Sequence, residues 1–135
     1  MRQLTREETV QEFHDAMKQT VDGVWTPSLL ELRARLISEE FNEFHDEFIN
    51  ILVKLEDGKR PSKFDRASLL KELADLQYVI SGCAVALGLP LQEAFIRVHN
   101  SNMSKFGDSG EPIYREDGKV IKGPNYQPPI LIDLI

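Results

Sequence analysis

The chain has 135 residues, 41% of them apolar and 28% charged, enough for a single domain over residues 1–135 with a buried core. A formal charge of −6 argues against broad electrostatic binding of nucleic acid, although a bound cation can still bring a phosphorylated small molecule to an acidic surface. Its single cysteine, Cys83, excludes an intrachain disulfide and fits an expected cytoplasmic setting.

The opening residues, Met1-Arg2-Gln3-Leu4-Thr5-Arg6-Glu7-Glu8, are charged and hold no apolar run, so no signal peptide is expected. Thr5 followed by Glu8 is a capping-box pattern that starts a first helix, with Val10, Phe13 and Met17 on one face and Gly23 closing the region. Thr26-Pro27 supplies an N-cap and a first-turn proline for a long second helix, which runs to about Glu56 before Asp57-Gly58. Leu30, Ile37, Phe41, Phe44, Phe48 and Leu52 share its broad apolar face, and Glu40, Glu43 and Glu47 lie along the flank of that face.

A polar linker, Lys59-Arg60-Pro61-Ser62-Lys63, leads to a third helix from about Asp65 to Leu87, closed by Gly88. Lys71, Glu72, Asp75 and Gln77 interrupt this most apolar stretch, so it is not a membrane span and no membrane partner is expected. Glu72 and Asp75 fall on one stripe with Val79, Cys83 and Ala86. Gly82, unfavourable in mid-helix, points to a close helix approach. A helix apolar on opposite sides belongs at the centre of a bundle or at a subunit interface.

A fourth helix begins near Pro90 and carries Leu91, Ala94, Phe95 and Val98 into His99-Asn100-Ser101-Asn102-Met103-Ser104-Lys105. Ile113-Tyr114-Arg115 and Lys119-Val120-Ile121 then flank Glu116-Asp117-Gly118, a hairpin signal whose Asp-Gly suits a primed turn. An extended Pro-rich tail and the apolar segment Ile130 to Ile135 end the chain. The expected fold is an all-α bundle of about four helices with a C-terminal hairpin and extended tail.

Two acidic motifs carry the chemistry: Glu39-Glu40-Phe41-Asn42-Glu43 and Glu72-Leu73-Ala74-Asp75. Carboxylates three or four residues apart share a helix face and repel each other, so each motif presents a small cluster of negative oxygens. Oxygen-rich sites of this kind suit hard cations such as Mg²⁺ or Mn²⁺, which polarise phosphoryl oxygens and lower the pKa of bound water. A carboxylate outside the ligand set can accept the proton of an attacking water. Spacing alone also allows a solvated acidic face, or a structural ion-pair network with Lys71 and Arg66.

Other chemistries lack their residues. There is no Gly-rich phosphate loop, no Cys/His zinc set and no paired Glu-x-x-His for a di-iron bundle. The apolar neighbours of Cys83 argue against a thiol nucleophile.

The spacing Glu39-Glu40-x-x-Glu43 followed by Glu72-x-x-Asp75 resembles the signature of the MazG-like all-α nucleoside triphosphate pyrophosphohydrolases, which include phosphoribosyl-ATP pyrophosphohydrolases and dimeric dUTPases. Leu73-Ala74-Asp75-Leu76-Gln77-Tyr78-Val79, Gly88-Leu89, Val98-His99 and Asn102-Met103-Ser104-Lys105 look like the branch related to dUTPases. Arg115-x-Asp117-Gly118-Lys119, Lys122 and the tail around Tyr126 are also similar. The resemblance implies metal-dependent hydrolysis of a nucleoside triphosphate to the monophosphate and pyrophosphate, with dUTP or dCTP favoured. Glu40, Glu43, Glu72 and Asp75 would then be the metal ligands, and Glu39 the base or an outer carboxylate that activates water.

By the same resemblance Asn102 and Lys105 would contact substrate, Lys105 as a point charge on phosphate. Arg115, Lys119 and Lys122 would close a cationic lid, and His14 would line the nucleoside pocket. Tyr126 and Trp25 are aromatic groups able to stack on a base. Each also has an ordinary structural role open to it, as a helix-end residue, a solvated hairpin or a packed ring. Family members pair their helices as homodimers or dimers of dimers, completing a four-helix core. A non-catalytic helical module that senses nucleotides or metal ions is the alternative of a different class.

Overall fold

The computed structural model describes all 135 residues, Met1 to Ile135. The chain is all-α, with helices α1 (Arg6–Ala16), α2 (Pro27–Glu56), α3 (Lys63–Leu87) and α4 (Leu91–Met103), and a 3₁₀ turn at Ile132–Leu134. No single helix is long and apolar enough to cross a membrane. The residues divide into two compact units, Met1–Leu89 and Pro90–Ile135.

In the first unit each helix starts where a side chain satisfies otherwise unpaired amides. Thr5 Oγ1 accepts from the Glu8 amide at 3.1 Å while the Glu8 carboxylate accepts from the Thr5 amide, completing the capping box of α1. Thr26 caps α2 through the Leu29 amide, with Pro27 at the first helical position. The start of α3 lies two residues before the expected Asp65. Ser62 is its cap: Ser62 Oγ accepts from the Asp65 amide at 3.0 Å, and the Asp65 carboxylate accepts from the Ser62 amide at 2.8 Å. Asp65 is thus the third residue of a capping box, not the first residue of the helix.

Helix α1 stops well before Gly23. Lys18 takes a left-handed conformation, φ 56°, and the Gln19 amide returns to the His14 carbonyl. The following connection ties down the last turn of α3: the Asp22 and Gly23 amides bond the Val85 and Ala86 carbonyls, each at 2.9 Å. The Trp25 indole donates to the Leu87 carbonyl at 2.9 Å. Carbonyls that a helix end leaves unpaired are therefore satisfied by this connection.

Helix α3 packs against both α1 and α2. The buried apolar residues are Val10 of α1 and Ala84, Val85 and Ala86 of α3. Small side chains there let the helices approach, and Gly82 is the extreme case. A Cβ at that position would stand 3.3 Å from both Arg33 Nη1 and His14 Nε2.

In the second unit the C-terminal segment is strapped to α4. Arg97 donates to the Ile130 carbonyl at 3.0 Å and to Asp133 at 2.6 Å, and the Gln127 amide donates to Ser104 Oγ at 2.8 Å. The expected hairpin is reduced to one antiparallel bridge, Tyr114 to Val120. Its turn is not primed: Gly118 alone has positive φ, 87°, and its amide bonds the Arg115 carbonyl. Those bonds describe a type I turn followed by a left-handed glycine, the three-residue alternative that the same Asp-Gly pair permits.

Candidate metal centre

Helices α2 and α3 run antiparallel. Lys54, late in α2, bonds Asp65, early in α3, at 2.6 Å, and Arg33, early in α2, lies against Gly82, late in α3. Between these two ends the acidic motifs face each other. Glu40 and Glu43 from α2 and Glu72 and Asp75 from α3 each offer a carboxylate oxygen within 4.8 Å of the others. Three-residue spacing places both acids of each helix on the facing side, and the apolar residues flanking them bring the helices together.

The electrostatics of this group are strained. Glu40 is held above the ordinary carboxylate range, first by its loss of water, then by Glu43 as a like charge and hydrogen-bond partner, and by Asp75 and Glu72. Glu40 Oε2 and Glu72 Oε2 are buried without a hydrogen-bond partner. The one nearby cation is Lys71, whose ammonium stands 2.8 Å from Asp75 and 3.6 Å from Glu72. Lys71 is exposed, and its bond to Asp75 raises its own pKa. One solvated lysine does not offset four converging carboxylates, nor does it reach the two orphaned oxygens.

Hard divalent cations are bound through carboxylate oxygens with some waters retained, so the donor set fits such an ion. Orphaned, desolvated oxygens are the groups an ion would satisfy. Glu39 is exposed and stands outside the group of four.

The remaining expected residues are placed as follows. His14 is 2% exposed, with Nδ1 at 2.8 Å from the Thr20 carbonyl, and so is an interior residue of the first unit. In the second unit Asn102 and Lys105 share a small pocket with Met103, Phe106, Pro112 and Val120. Arg115 is engaged by Asp117 of its own turn, Nε to Oδ1 at 2.9 Å, which raises the guanidinium pKa. Lys122 sits 4.7 Å from the centre of the Tyr126 ring, and Lys119 is exposed.

Arg33, absent from the acidic and basic motifs of the sequence, is 4% exposed and has an unpartnered Nε. The signal was a cation on the apolar seam of α2, seven residues before Glu40 and therefore on the same stripe.

Among protein families, the one described as phosphoribosyl-ATP pyrophosphohydrolase matches residues 7–102, more than two-thirds of the chain. The match takes in both acidic motifs and ends at Asn102, before Lys105, the hairpin and the tail. No curated protein matches the chain.

Proposed function

The chain belongs to the phosphoribosyl-ATP pyrophosphohydrolase family, and from that premise we propose that it hydrolyses a nucleoside triphosphate to the monophosphate and pyrophosphate with a divalent metal ion. Membership makes it a nucleotide pyrophosphohydrolase, a hydrolase acting on pyrophosphate bonds. The observation that carries the finer reading is the convergence of Glu40, Glu43, Glu72 and Asp75, with two buried oxygens left unsatisfied.

These four residues would hold Mg²⁺ or Mn²⁺. Such an ion, when bound, supplies Lewis-acid polarisation of phosphoryl oxygens and screens the charge of the polyphosphate. Glu39 takes the proton of the attacking water as the water oxygen bonds to the α-phosphorus and the bond to the bridging oxygen breaks, releasing pyrophosphate. An exposed carboxylate one residue from the ligand set is free for that task. Asn102 and Lys105 are proposed as substrate contacts, Lys105 through its charge. Arg115, Lys119, Lys122 and Tyr126 are carried in the proposal as lid residues, Arg115 and Lys122 having to give up Asp117 and the Tyr126 ring to act.

The resemblance to the dUTPase-related branch favours dUTP or dCTP, in a cytoplasmic nucleotide pool, with the chain working as a homodimer or dimer of dimers. The test is a panel of ribo- and deoxyribonucleoside triphosphates with phosphoribosyl-ATP included, in Mg²⁺, in Mn²⁺ and in EDTA. Monophosphate and pyrophosphate are expected from at least one substrate with metal, and neither product in EDTA. Absence of both products across the panel, or undiminished turnover in EDTA, would overturn the proposal.

A further inference from the structure

Cys83 is the only thiol in the chain, and the proposed hydrolysis does not use it. Its neighbours in sequence are apolar, which argues for an inert side chain. The fold changes that environment in two ways. The first is access: of residues 81–86 in α3, Cys83 alone is not buried.

The second is a cation. Glu40 and Glu43 of α2 meet Glu72 and Asp75 of α3, and the two helices run antiparallel. Seven residues back from Glu40 and seven on from Asp75 therefore stand level, about 10 Å further along the pair, and these are Arg33 and Gly82. A Cβ at Gly82 would lie 3.3 Å from Arg33 Nη1, which puts the guanidinium at that level. Cys83 is the next residue, on the stripe of α3 that carries Glu72 and Asp75 toward α2.

Arg33 lacks an anion of its own. It is 4% exposed and its Nε has no hydrogen-bond partner. Burial lowers its pKa, and Cys83 is the one group whose charge acts the other way. An unpaired buried guanidinium is costly, and an oxyanion on the neighbouring sulfur would complete it. We propose that Cys83 is a site of oxidation by hydrogen peroxide, and that Arg33 holds the resulting sulfenate across the seam of α2 and α3. The inference does not rest on the hydrolytic activity and stands or falls apart from it.

In this step the Cys83 sulfur, as thiolate, attacks one oxygen of the peroxide. The S–O bond forms as the O–O bond breaks, and the leaving hydroxide takes up the proton that the thiol gave, as water. Sulfur loses two electrons and the peroxide gains them. Negative charge passes to the new oxygen beside Arg33, so the guanidinium favours both the step and its product. The chain has no second cysteine to turn the sulfenate into an intrachain disulfide, and an added thiol reduces it back. Oxidation thus tightens the seam rather than breaking it.

The test treats the full chain with hydrogen peroxide and dimedone, which traps sulfenates, and follows the label by mass spectrometry. Cys83 is expected to be labelled in the wild type, and no label is expected in Cys83→Ser. Labelling is expected to be about 10-fold slower in Arg33→Met, which loses a charge-assisted hydrogen bond. Arg33→Lys keeps a cation and is expected to react at a rate closer to wild type than to Arg33→Met. Without dimedone, the oxidised wild type is expected to melt above the reduced chain, against Cys83→Ser treated alike to correct for the methionines. Dithiothreitol should reverse that rise, and Arg33→Met should lack it. No label in a wild type whose unfolded chain titrates its one free thiol would overturn the proposal. Equal rates in wild type and Arg33→Met, Arg33→Lys as slow as Arg33→Met, or a fall in melting temperature on oxidation would overturn it too. If Arg33→Met does not fold, Arg33→Gln decides by the same comparisons.

Discussion

Glu40 bears most of the electrostatic cost of the acidic cluster. Its carboxyl is desolvated among Glu43, Asp75 and Glu72, so the folded chain holds a proton there more tightly than the unfolded chain does. A raised carboxyl pKa removes stability as pH climbs from the ordinary value of 4.5 through the raised one. Glu40→Gln keeps the shape and deletes the charge. In EDTA at pH 7 this variant is expected to melt above wild type, with the gap shrinking toward pH 4. Mg²⁺ or Mn²⁺ should raise the melting temperature of the wild type and leave Glu40→Gln nearly unmoved, because only a site that binds the ion gains from it. Thermal melts by circular dichroism check both statements; a wild type indifferent to either metal contradicts the ligand assignment. Glu43→Gln and Asp75→Asn are expected to lower kcat about 100-fold or more while the far-ultraviolet spectrum stays helical. The acid pairs were legible in sequence because three-residue spacing fixes a shared face. That the two faces meet is set by packing, which spacing does not determine. Arg33 was illegible for a related reason: a lone arginine on an apolar face ordinarily snorkels to water, and only the fold shows that this one does not.

At the scale of elements, the helices begin where local chemistry dictates, and this is why the sequence exposes them so well. Thr5/Glu8 and Thr26-Pro27 act within four residues of themselves, and α1 and α2 start at those signals. The start of α3 lies two residues before the expected Asp65 because Ser62 and Lys63 read as polar linker, whereas Ser62 is the cap that Asp65, three positions on, completes as a box. The turn at Glu116-Asp117-Gly118 was misjudged because Asp-Gly serves two turn types, and the flanking residues choose between them. Removing the cap with Ser62→Ala is expected to cost about 1 kcal/mol, a few degrees in the melting temperature. Asp65 has a larger task, since Lys54 of α2 bonds the same carboxylate that accepts the Ser62 amide. The Lys54 bond and then the Ser62 amide hold its pKa below the usual aspartate value of 3.8. A depressed carboxyl pKa contributes stability above the ordinary value and loses it as pH falls through the depressed one. Asp65→Asn should therefore melt below wild type at pH 6 to 7, and the two curves should converge below about pH 4. A gap that stays constant down to pH 2 would show that the charge of Asp65 contributes nothing.

At the scale of the whole molecule, the apolar surface left open matters most. The α2 face that the sequence marks as core is only partly covered: Phe41, Phe48, Leu52 and Leu55 are exposed, as are Leu70 and Leu73 on α3. The buried apolar residues are small apart from the two valines, Val10 and Val85. Contiguous open patches on paired helices mark interaction surfaces. A second copy of the chain offers the same patch, and self-complementary pairing about a two-fold axis is the commonest way to cover it. Sedimentation velocity at micromolar concentration is expected to give the mass of a dimer or a dimer of dimers, with a melting temperature that rises with protein concentration. Phe48→Glu puts a charge into that face and is expected to shift the distribution toward single chains. A single-chain mass across the whole concentration range, with a melting temperature independent of concentration, would contradict the pairing. The acids stand on the flank of this same face, Glu40 and Glu43 adjoining Phe41 and Phe44. Pairing through this face would brace the ligand-bearing helices from a second side, so turnover per chain is expected to fall on dilution, and to fall at higher concentration for Phe48→Glu than for the wild type.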